Sequence, residues 1–489
     1  MPGDDDDDDD PAIGKGMNRF FLPPEGERRG SGRVFAAFEV PESAVDGDPN
    51  AADDDAEPLF FECLDTTWFW STQNGPRSWL DLFEEAPLSV LELTSFPMPP
   101  LPDGAEPGDV AWFEFGYTYS SAAEANGRIY TSLYGTGDPV KISYYEPRSL
   151  NWAGTGPMGR NGWLAGACDL AVQRGPLGDA KAPQRLARKI GKSFGVAAYD
   201  VGQGSCQALV HENGHQPLIY VDLGGGVLFN ASTFPTSHRG FCFSMRPLIV
   251  LSHWDWDHWS SAYRSPRSLD MEWLAPPIPQ KPIQQAFAAD LYTRGRLSIW
   301  DDSWPSEIKG SGVRIERCTG RTSNDSGLAV TFYSRASSGR NCLLPGDADY
   351  RFIPSIAKSE RFSALCMTHH GGRLHSAAYP LPKRSPMALL SAGPRNSYRH
   401  PLLSALSAHL RAGWPLPVQT GFSGQRPCHL LLPWGSQPHL FHGDCPIGEC
   451  GTAIAEVVPS NPSVSFFSPP PGSQRRRRMS RSMTPSETL

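Results

Sequence analysis

The chain has 489 residues and a formal net charge of −8 at pH 7, which leaves room for two or three domains and argues weakly against a protein that coats nucleic acid. Glycine (48 residues) and proline (47) are abundant and hydrophobic residues reach only 39%, which favours many turns and some unfolded segments over a helical bundle. No apolar run approaches the roughly 20 residues that span a membrane, and an aspartate run replaces a basic signal segment, so we expect no membrane insertion and a cytoplasmic location.

Four segments are predicted along the chain. Residues 1–18 are acidic and expected to be disordered, and residues 19–190 form an accessory region that is mostly β and carries no catalytic motif. Residues 191–450 contain short strands separated by glycine turns and hold the candidate site. Residues 451–489 form a disordered tail rich in proline, serine and arginine. The accessory region could bind a protein partner, but its sequence predicts no specific role. The sequence does not predict the oligomeric state.

The most informative stretch lies directly after the apolar run 247–251, which is predicted to be a buried strand. It contains four potential metal ligands within six residues: His253, Asp255, Asp257 and His258. Histidine and aspartate so closely interleaved are typical of sites that bind one or two divalent cations and perform hydrolysis. A polar loop of hydrogen-bonded histidines is the less favoured interpretation.

Two further strand ends carry residues of the same type. Asp347 follows the apolar residues 343–344 in a Gly-Asp turn, and the pair His369 and His370 follows the apolar run 364–367. The chain has 13 histidines, and none lies between the first cluster and His369. Because loops at strand ends commonly converge on one active centre, these residues are expected to meet the first cluster.

A weaker pattern of cysteine and histidine occurs near the end of the chain. Four of its members could form a structural zinc site, although their irregular spacing is more typical of ordinary loop residues. The members are Cys428, His429, His439, His442, Cys445 and Cys450.

The order of these motifs resembles the metallo-β-lactamase superfamily, and within it the hydrolase domain of the ComEC type found on the DNA-uptake channel of natural competence. The resemblance covers roughly residues 194–415. It implies an α/β fold, namely the αββα sandwich of the metallo-β-lactamase superfamily, with the metal centre at one edge of the two sheets. The mostly β N-terminal region would be an addition to this sandwich. The motifs that carry it are Asp200-Val201-Gly202-Gln203-Gly204, Val221-Asp222-Leu223-Gly224, Ser252 to His258, Gly346-Asp347-Ala348, His369-His370-Gly371 and Tyr398-Arg399-His400-Pro401.

The resemblance also implies a role for each matching residue. The implied metal ligands are His253, Asp255, Asp257, His258, Asp347 and His369, with Asp347 bridging two ions. Asp257 and His400 would be catalytic, with Asp257 orienting a water and His400 close to a phosphate or the leaving group. Asp222 and His370 would give structural support. Two residues are assigned to substrate binding on chemical grounds instead. Trp254 could stack on a base, and Arg399, which stands where the family has a glycine, could bind a phosphate or simply lie on the surface.

The cofactor is expected to be one or two divalent ions, chosen from manganese, zinc, magnesium and iron. Asp255 stands where most members of the superfamily have a histidine, and its hard oxygen favours manganese, magnesium or iron, although the imidazoles keep zinc possible. Two further features depart from the family pattern. No histidine occurs from 259 to 368, so one of two ions could be held loosely, and the membrane channel has no counterpart in this chain.

The leading hypothesis is a metal-dependent hydrolase, a phosphodiesterase or nuclease that uses metal-bound hydroxide on DNA or RNA. Tryptophans among the ligands, such as Trp254, could stack on bases if they are exposed. Alternatives are the hydrolysis of a lactone, thioester, nucleotide or lipid headgroup at the same site, and, from a different class, a non-catalytic interaction protein that acts through residues 19–190.

Overall fold

The computed structural model describes thirteen ranges of the chain: 30–42, 59–73, 86–94, 100–102, 104–148, 193–211, 216–238, 240–310, 312–334, 339–374, 378–421, 426–434 and 438–441. The predicted disordered segments 1–18 and 451–489 lie outside these residues. The boundaries proposed for the four segments therefore stay predictions.

A closed barrel of six antiparallel strands occupies the region predicted to be mostly β, in the order β1-β2-β3-β5-β6-β4. Phe61 fills its interior together with Phe113 and Phe115, at ring-centroid distances of 5.7 and 5.2 Å. The strands are β1 (Ser31–Glu39), β2 (Leu59–Asp65), β3 (Leu88–Leu93), β4 (Val110–Tyr119), β5 (Gly127–Tyr130) and β6 (Asp138–Arg148), with helix α1 (Thr66–Gln73) after β2.

Strand β1 shows how the barrel joins the rest of the chain. Its side chains alternate between two faces, as the period of a strand requires. Val34 and Ala36 point into the barrel core, whereas Phe35 and Ala37 belong to a second buried cluster that includes Trp259. The barrel and the region that carries the motifs therefore share apolar core, which stabilises their contact in proportion to the area buried.

Two mixed sheets follow the barrel. The first has eight strands in the order β12-β11-β10-β9-β8-β7-β20-β21, and the second has seven in the order β13 to β19. The first sheet contains β7 (Ser193–Ala198), β8 (Gln207–His211), β9 (Pro217–Val221), β10 (Leu248–Val250), β11 (Glu272–Ala275), β12 (Leu297–Ile299), β20 (His429–Pro433) and β21 (His439–Phe441). The second contains β13 (Glu307–Lys309), β14 (Val313–Arg317), β15 (Leu328–Tyr333), β16 (Asn341–Leu344), β17 (Arg361–Cys366), β18 (Leu381–Leu390) and β19 (Val418–Gln419).

The faces of the two sheets share one buried cluster, which includes Val250 of β10 and Leu344 of β16. Ile249 of β10 points the other way, into the cluster that contains Phe287. Strand β10 thus buries both faces, which explains why its sequence is an uninterrupted apolar run. The mixed α/β content predicted from the sequence is confirmed.

Helices lie on the outer side of each sheet. Phe287 of α4 stacks on Trp259 of α2 at 4.2 Å outside the first sheet, and Leu406 of α6 packs with Leu390 of β18 outside the second. The helices are α2 (Trp256–Trp259), α3 (Ser261–Arg264), α4 (Pro282–Thr293), α5 (Pro354–Ala357) and α6 (Leu403–Arg411), with 3₁₀ turns at Leu228–Thr233, Pro266–Asp270, Tyr350–Phe352 and Thr368–Gly371. Among the described helices, none is long and apolar enough to cross a membrane.

Candidate metal centre

Asp222 anchors the loop that follows β10. Strands β9 and β10 pair in parallel, so the residues after each strand meet at one edge of the sheet. The carboxylate of Asp222 accepts hydrogen bonds from the amide of Ser252 at 2.7 Å and from its hydroxyl at 2.9 Å, and lies 2.8 Å from Nδ1 of His258. A carboxylate in this position fixes the ring and leaves Nε2 free to face the cluster. The supporting role of Asp222 stays a prediction.

Three buried imidazoles point their Nε2 atoms at Asp347, which follows strand β16. The distances from Nε2 to the nearer carboxylate oxygen of Asp347 are 3.3 Å for His258, 3.6 Å for His370 and 4.0 Å for His253. Within the part of the chain that the structure describes, none of these three Nε2 atoms has a hydrogen-bond partner. Buried polar atoms without partners are costly, so their convergence indicates a site built for a ligand.

The ligand atoms form two overlapping groups. One joins His253, His258 and Asp347, and the other joins Asp257, His258 and His370, with all atoms of a group within 4.8 Å of one another. Asp257 Oδ2 lies 3.2 Å from Nε2 of His370. Imidazole nitrogens combined with carboxylate oxygens are the donor set of divalent transition metals, so the residues fit one or two such ions.

The two histidines of the 369–370 pair lie in different places, and the structure brings His370 closer to the cluster than His369. The sequence assigned His369 to the metal and His370 to structural support. Nδ1 of His370 donates to the carbonyl of Ser391 at 2.8 Å, which directs its Nε2 into the cluster. His369 lies at the edge, with a side chain 27% exposed and Nε2 3.9 Å from Asp347. Both residues have positive φ, and this tight turn sends their side chains in different directions.

The carboxylates and imidazoles of the cluster shift one another's pKa toward the charged forms. Burial alone would raise the pKa of Asp347, but the imidazoles of His258, His370 and His369 outweigh it and hold that pKa well below its usual range. Burial would lower the pKa of His258, but the carboxylates around it, first Asp347, raise that pKa well above its usual value. The centre therefore attracts positive charge, and a proton and a metal ion compete for the same Nε2 atoms.

Asp255 lies at the solvent side of the cluster, with its side chain 37% exposed. Its Oδ2 is 3.5 Å from Nε2 of His253, and its Oδ1 is 3.7 Å from Nζ of the buried Lys281. Lys281 in turn contacts Glu39 of the barrel at 3.3 Å. The sequence gave no reason to connect Lys281 or Glu39 with this site.

His400 stands beside the cluster, where its ring centroid is 5.6 Å from that of His369. Burial, followed by the charges of His369 and His370, lowers the pKa of His400 to about 2, so this imidazole is neutral at physiological pH. The side-chain amide nitrogen of Gln203 lies 3.4 Å from its Nδ1. Gln203 belongs to the glycine turn after β7, which the sequence singled out as a motif without assigning a role to the glutamine. A catalytic role for His400 stays a prediction.

The structure contradicts the substrate contact expected of Trp254. Its side chain is 1% exposed, and its indole nitrogen donates to the carbonyl of Pro276 at 3.0 Å. Its ring lies beside Phe287 of α4, with ring centroids 6.2 Å apart, in a buried layer where no base can stack on it. Arg399 is exposed next to His400, and its role in substrate binding stays a prediction.

Glu62 of barrel strand β2 contacts the other side of the loop that carries His253 to His258. It accepts a hydrogen bond from the indole nitrogen of Trp256 at 2.9 Å and from the amide of Ile283 at 2.7 Å. The amide of Gln284 lies 3.3 Å from the same carboxylate, so Glu62 caps the N-terminus of α4, where negative charge is favourable. A glutamate inside an apolar strand was the signal in the sequence that could have revealed this contact.

Glu62 should make stability depend on pH. Burial raises its pKa from 4.5 to about 7, against the opposing effects of Lys281 and the helix amides. A raised pKa in the folded state gives stability that is complete below pH 4.5 and is lost as the pH rises through 7. The free energy of unfolding should therefore fall between pH 5 and pH 8 by roughly 2 to 3 kcal/mol more in the wild type than in Glu62→Gln.

Urea unfolding of both proteins at the two pH values, in the presence of a chelator, measures this difference. Glu106→Gln is the matched control, because Glu106 is an exposed barrel residue paired with Arg321 on the surface. It should follow the wild type. Equal pH dependence in wild type and Glu62→Gln would show that Glu62 is not the titrating group.

Cys428 and His429 of the predicted cysteine and histidine cluster lie within the described residues. His429 Nδ1 accepts from the amide of Asp200 at 2.9 Å, and the amide of Cys428 donates to the carboxylate of Asp200 at 3.0 Å. Arg426 donates two hydrogen bonds to the same carboxylate, at 2.6 and 3.0 Å. His442, Cys445 and Cys450 lie outside the described residues, as does the side chain of His439, so zinc binding there stays a prediction.

Comparisons with known proteins complete this description. No family model and no curated protein matches the chain. Solved structures that it resembles are members of the metallo-β-lactamase superfamily. MEM-A1, a subclass B3 metallo-β-lactamase from a soil metagenome library, is 15% identical, with 37% of this chain and 81% of that chain covered and a TM-score of 0.23.

Two further structures give similar values. Zn²⁺-bound PqqB from Methylobacterium extorquens is 9% identical, with 35% of this chain and 72% of that chain covered and a TM-score of 0.24. The archaeal superfamily protein ST1585 from Sulfolobus tokodaii is 16% identical, with 32% and 63% covered and a TM-score of 0.20. At such scores these likenesses carry no argument about activity, which must come from the residues of this chain.

Proposed function

We propose that the chain is a metal-dependent hydrolase with the αββα arrangement of the metallo-β-lactamase superfamily. The observation that carries this proposal is the convergence of three buried, unpartnered Nε2 atoms, those of His253, His258 and His370, on Asp347. Asp257 adds a second carboxylate on the side of His370. A bound cation would satisfy these atoms, because it would accept the lone pairs of the imidazole nitrogens and balance the charge of the carboxylates.

Phosphodiesters, with nucleic acid as the first candidate, are the substrate class that we propose. The support is the ordered motif set, which resembles the ComEC-type hydrolase domain, together with the oxygen ligand Asp255 in place of a histidine. Carboxylate oxygens favour the hard cations that phosphoryl-transfer enzymes commonly use. The net charge of −8 does not oppose this class, because bound cations supply the local positive potential.

The side chains divide the proposed chemistry among them. A bound divalent cation would supply an electrophile for the phosphoryl oxygen and would lower the pKa of a water. Asp257, whose side chain is 21% exposed, orients that water and accepts its proton. The amide nitrogen of Gln203 faces Nδ1 of His400, which places the imidazole proton on Nε2. The neutral His400 can then donate a hydrogen bond from Nε2 to the leaving oxygen, which takes its proton from solvent and so balances the proton that Asp257 accepts.

The test is cleavage of plasmid, linear double-stranded and single-stranded DNA with Mn²⁺, comparing the wild type with the double variant Asp257→Ala/His258→Ala. We expect cleavage by the wild type alone, and the preferred strand form will define the nuclease. Metal content is measured on the same samples. Absence of cleavage by a wild type that holds Mn²⁺ would reject the nuclease activity.

A second candidate is the hydrolysis of a smaller substrate at the same centre, namely a lactone, thioester, nucleotide or lipid headgroup. The observation that favours it is the burial of Trp254 and Trp259, which removes two of the aromatic faces on which bases could stack. Bis(p-nitrophenyl) phosphate and p-nitrophenyl acetate distinguish the two chemistries. Turnover of the acetate with no turnover of either DNA or the diester would select the acyl alternative.

A further inference from the structure

Lys281 is a buried cation at the edge of the metal centre that neither the motif set nor the proposed chemistry uses. It immediately precedes α4, and only 11% of its side chain is exposed. Its Nζ lies 3.7 Å from Oδ1 of Asp255, while the other oxygen of Asp255 faces Nε2 of His253 at 3.5 Å. The same carboxylate is therefore shared between a fixed ammonium group and the ligand cluster.

A barrel residue holds this ammonium group in place. Glu39, at the end of β1, contacts Nζ of Lys281 at 3.3 Å. Its other oxygen accepts a hydrogen bond from the amide of Ser323, in the loop before β15. Glu39 is itself largely buried, with 13% of its side chain exposed, so the ion pair is shielded from screening by salt. The barrel thus fixes the position of a charge next to the metal centre.

The two sides of the cluster consequently differ in charge. The side of Asp257, His258 and His370 has a carboxylate and two imidazoles, and no lysine or arginine contact is found for it among the described residues. On the other side, Asp255 already pairs with Lys281, and a cation held by Asp255 and His253 would lie near a like charge. Like charges within a few ångströms in a buried setting repel strongly.

We propose that Lys281, positioned by Glu39, replaces a second metal ion: the centre binds one ion tightly, and the ammonium group of Lys281 supplies the second positive charge that contacts the anionic group of the substrate. The part concerning substrate rests on the proposed phosphodiesterase function. The part concerning the metal does not. Lys281 is thereby a residue that determines specificity, and Glu39 is a positioning residue.

Titration calorimetry with Mn²⁺ alone, supported by metal analysis of dialysed protein, tests the stoichiometry. The wild type and Lys281→Arg should bind one ion tightly, whereas Lys281→Met should bind a second ion at least about 10-fold more tightly than the wild type does. Two ions of similar affinity in the wild type would overturn the proposal. So would identical isotherms for wild type and a Lys281→Met variant with native circular dichroism. The wild-type result stands even if Lys281→Met does not fold.

Kinetics test the contact with substrate. Lys281→Met removes the ammonium group, and Glu39→Gln removes the carboxylate that positions it. Each should therefore raise KM for bis(p-nitrophenyl) phosphate by about 10-fold, whereas Lys281→Arg should retain most of the affinity. Glu106→Gln, which removes a surface ion pair between the barrel region and Arg321 in the loop before β15, is the matched control and should give the same KM as the wild type. Unchanged KM in both Lys281→Met and Glu39→Gln would contradict the contact.

The two proposals fail in different ways. If the wild type binds Mn²⁺ but hydrolyses neither the diester nor DNA, the proposed function is wrong, and the isotherms still decide whether Lys281 replaces an ion. If the diester is hydrolysed but the wild type holds two tight ions, the hydrolase function stands and the role of Lys281 is rejected.

Discussion

Replacing Asp347 by asparagine is expected to abolish tight metal binding and to lower hydrolysis by at least about 100-fold, more than the loss typical of a residue that only supports a ligand. Asp347 is the one carboxylate that faces the imidazoles of His253, His258 and His370 together among the described residues. Asparagine keeps the shape but removes the charge that balances a cation. The measurement is Mn²⁺ affinity by calorimetry, with hydrolysis rates on the substrate that the wild type cleaves.

Asp349→Asn is the matched control for this variant. Asp349 lies two residues further along and is also buried, but its carboxylate accepts from the amide of Arg351 in the next turn. Asparagine can accept the same hydrogen bond, so metal affinity and rate should stay near those of the wild type. Wild-type metal affinity in Asp347→Asn would show that the centre is not organised around this carboxylate.

Much of the fold could be predicted because apolar runs and glycine turns mark its strands. The run 247–251, predicted to be a buried strand, contains β10. The barrel was predicted only as a mostly β region. Closure of a barrel depends on pairing between strands far apart in the chain, such as β1 with β4, and local periodicity does not encode such pairing.

The candidate site was predicted in outline for a similar reason. Ligands that follow a strand directly, as Asp347 follows β16, can be located from the strand. Lys281 and Glu62 reach the site through contacts between the barrel and α4, and an isolated lysine or glutamate in a sequence gives no sign of such a contact. Trp254 was assigned to substrate because the sequence does not show which face of a loop is buried.

The sequence does not show which of two adjacent histidines faces the cluster, and for the pair His369 and His370 this choice gives the second large prediction. Replacing His370 by alanine should weaken Mn²⁺ binding by at least about 100-fold, whereas replacing His369 should weaken it by less than about 10-fold. Nε2 of His370 is buried 3.2 Å from Asp257, and its Nδ1 is held by the carbonyl of Ser391. His369 is partly exposed, and its Nε2 lies 3.9 Å from Asp347, the one carboxylate of the described residues within 4.0 Å of it.

Calorimetry on both variants, with thermal melts to verify folding, measures the difference. His370→Ala also leaves the carbonyl of Ser391 without its donor, so His370→Gln serves as a second variant that keeps a polar side chain at the position. Both changes at 370 should weaken metal binding more than the change at 369, because only the Nε2 of His370 lies within the group formed with Asp257 and His258. A greater loss in His369→Ala than in His370→Ala would return the ligand role to His369, and would mean that the turn at 368–371 rearranges when the ion binds.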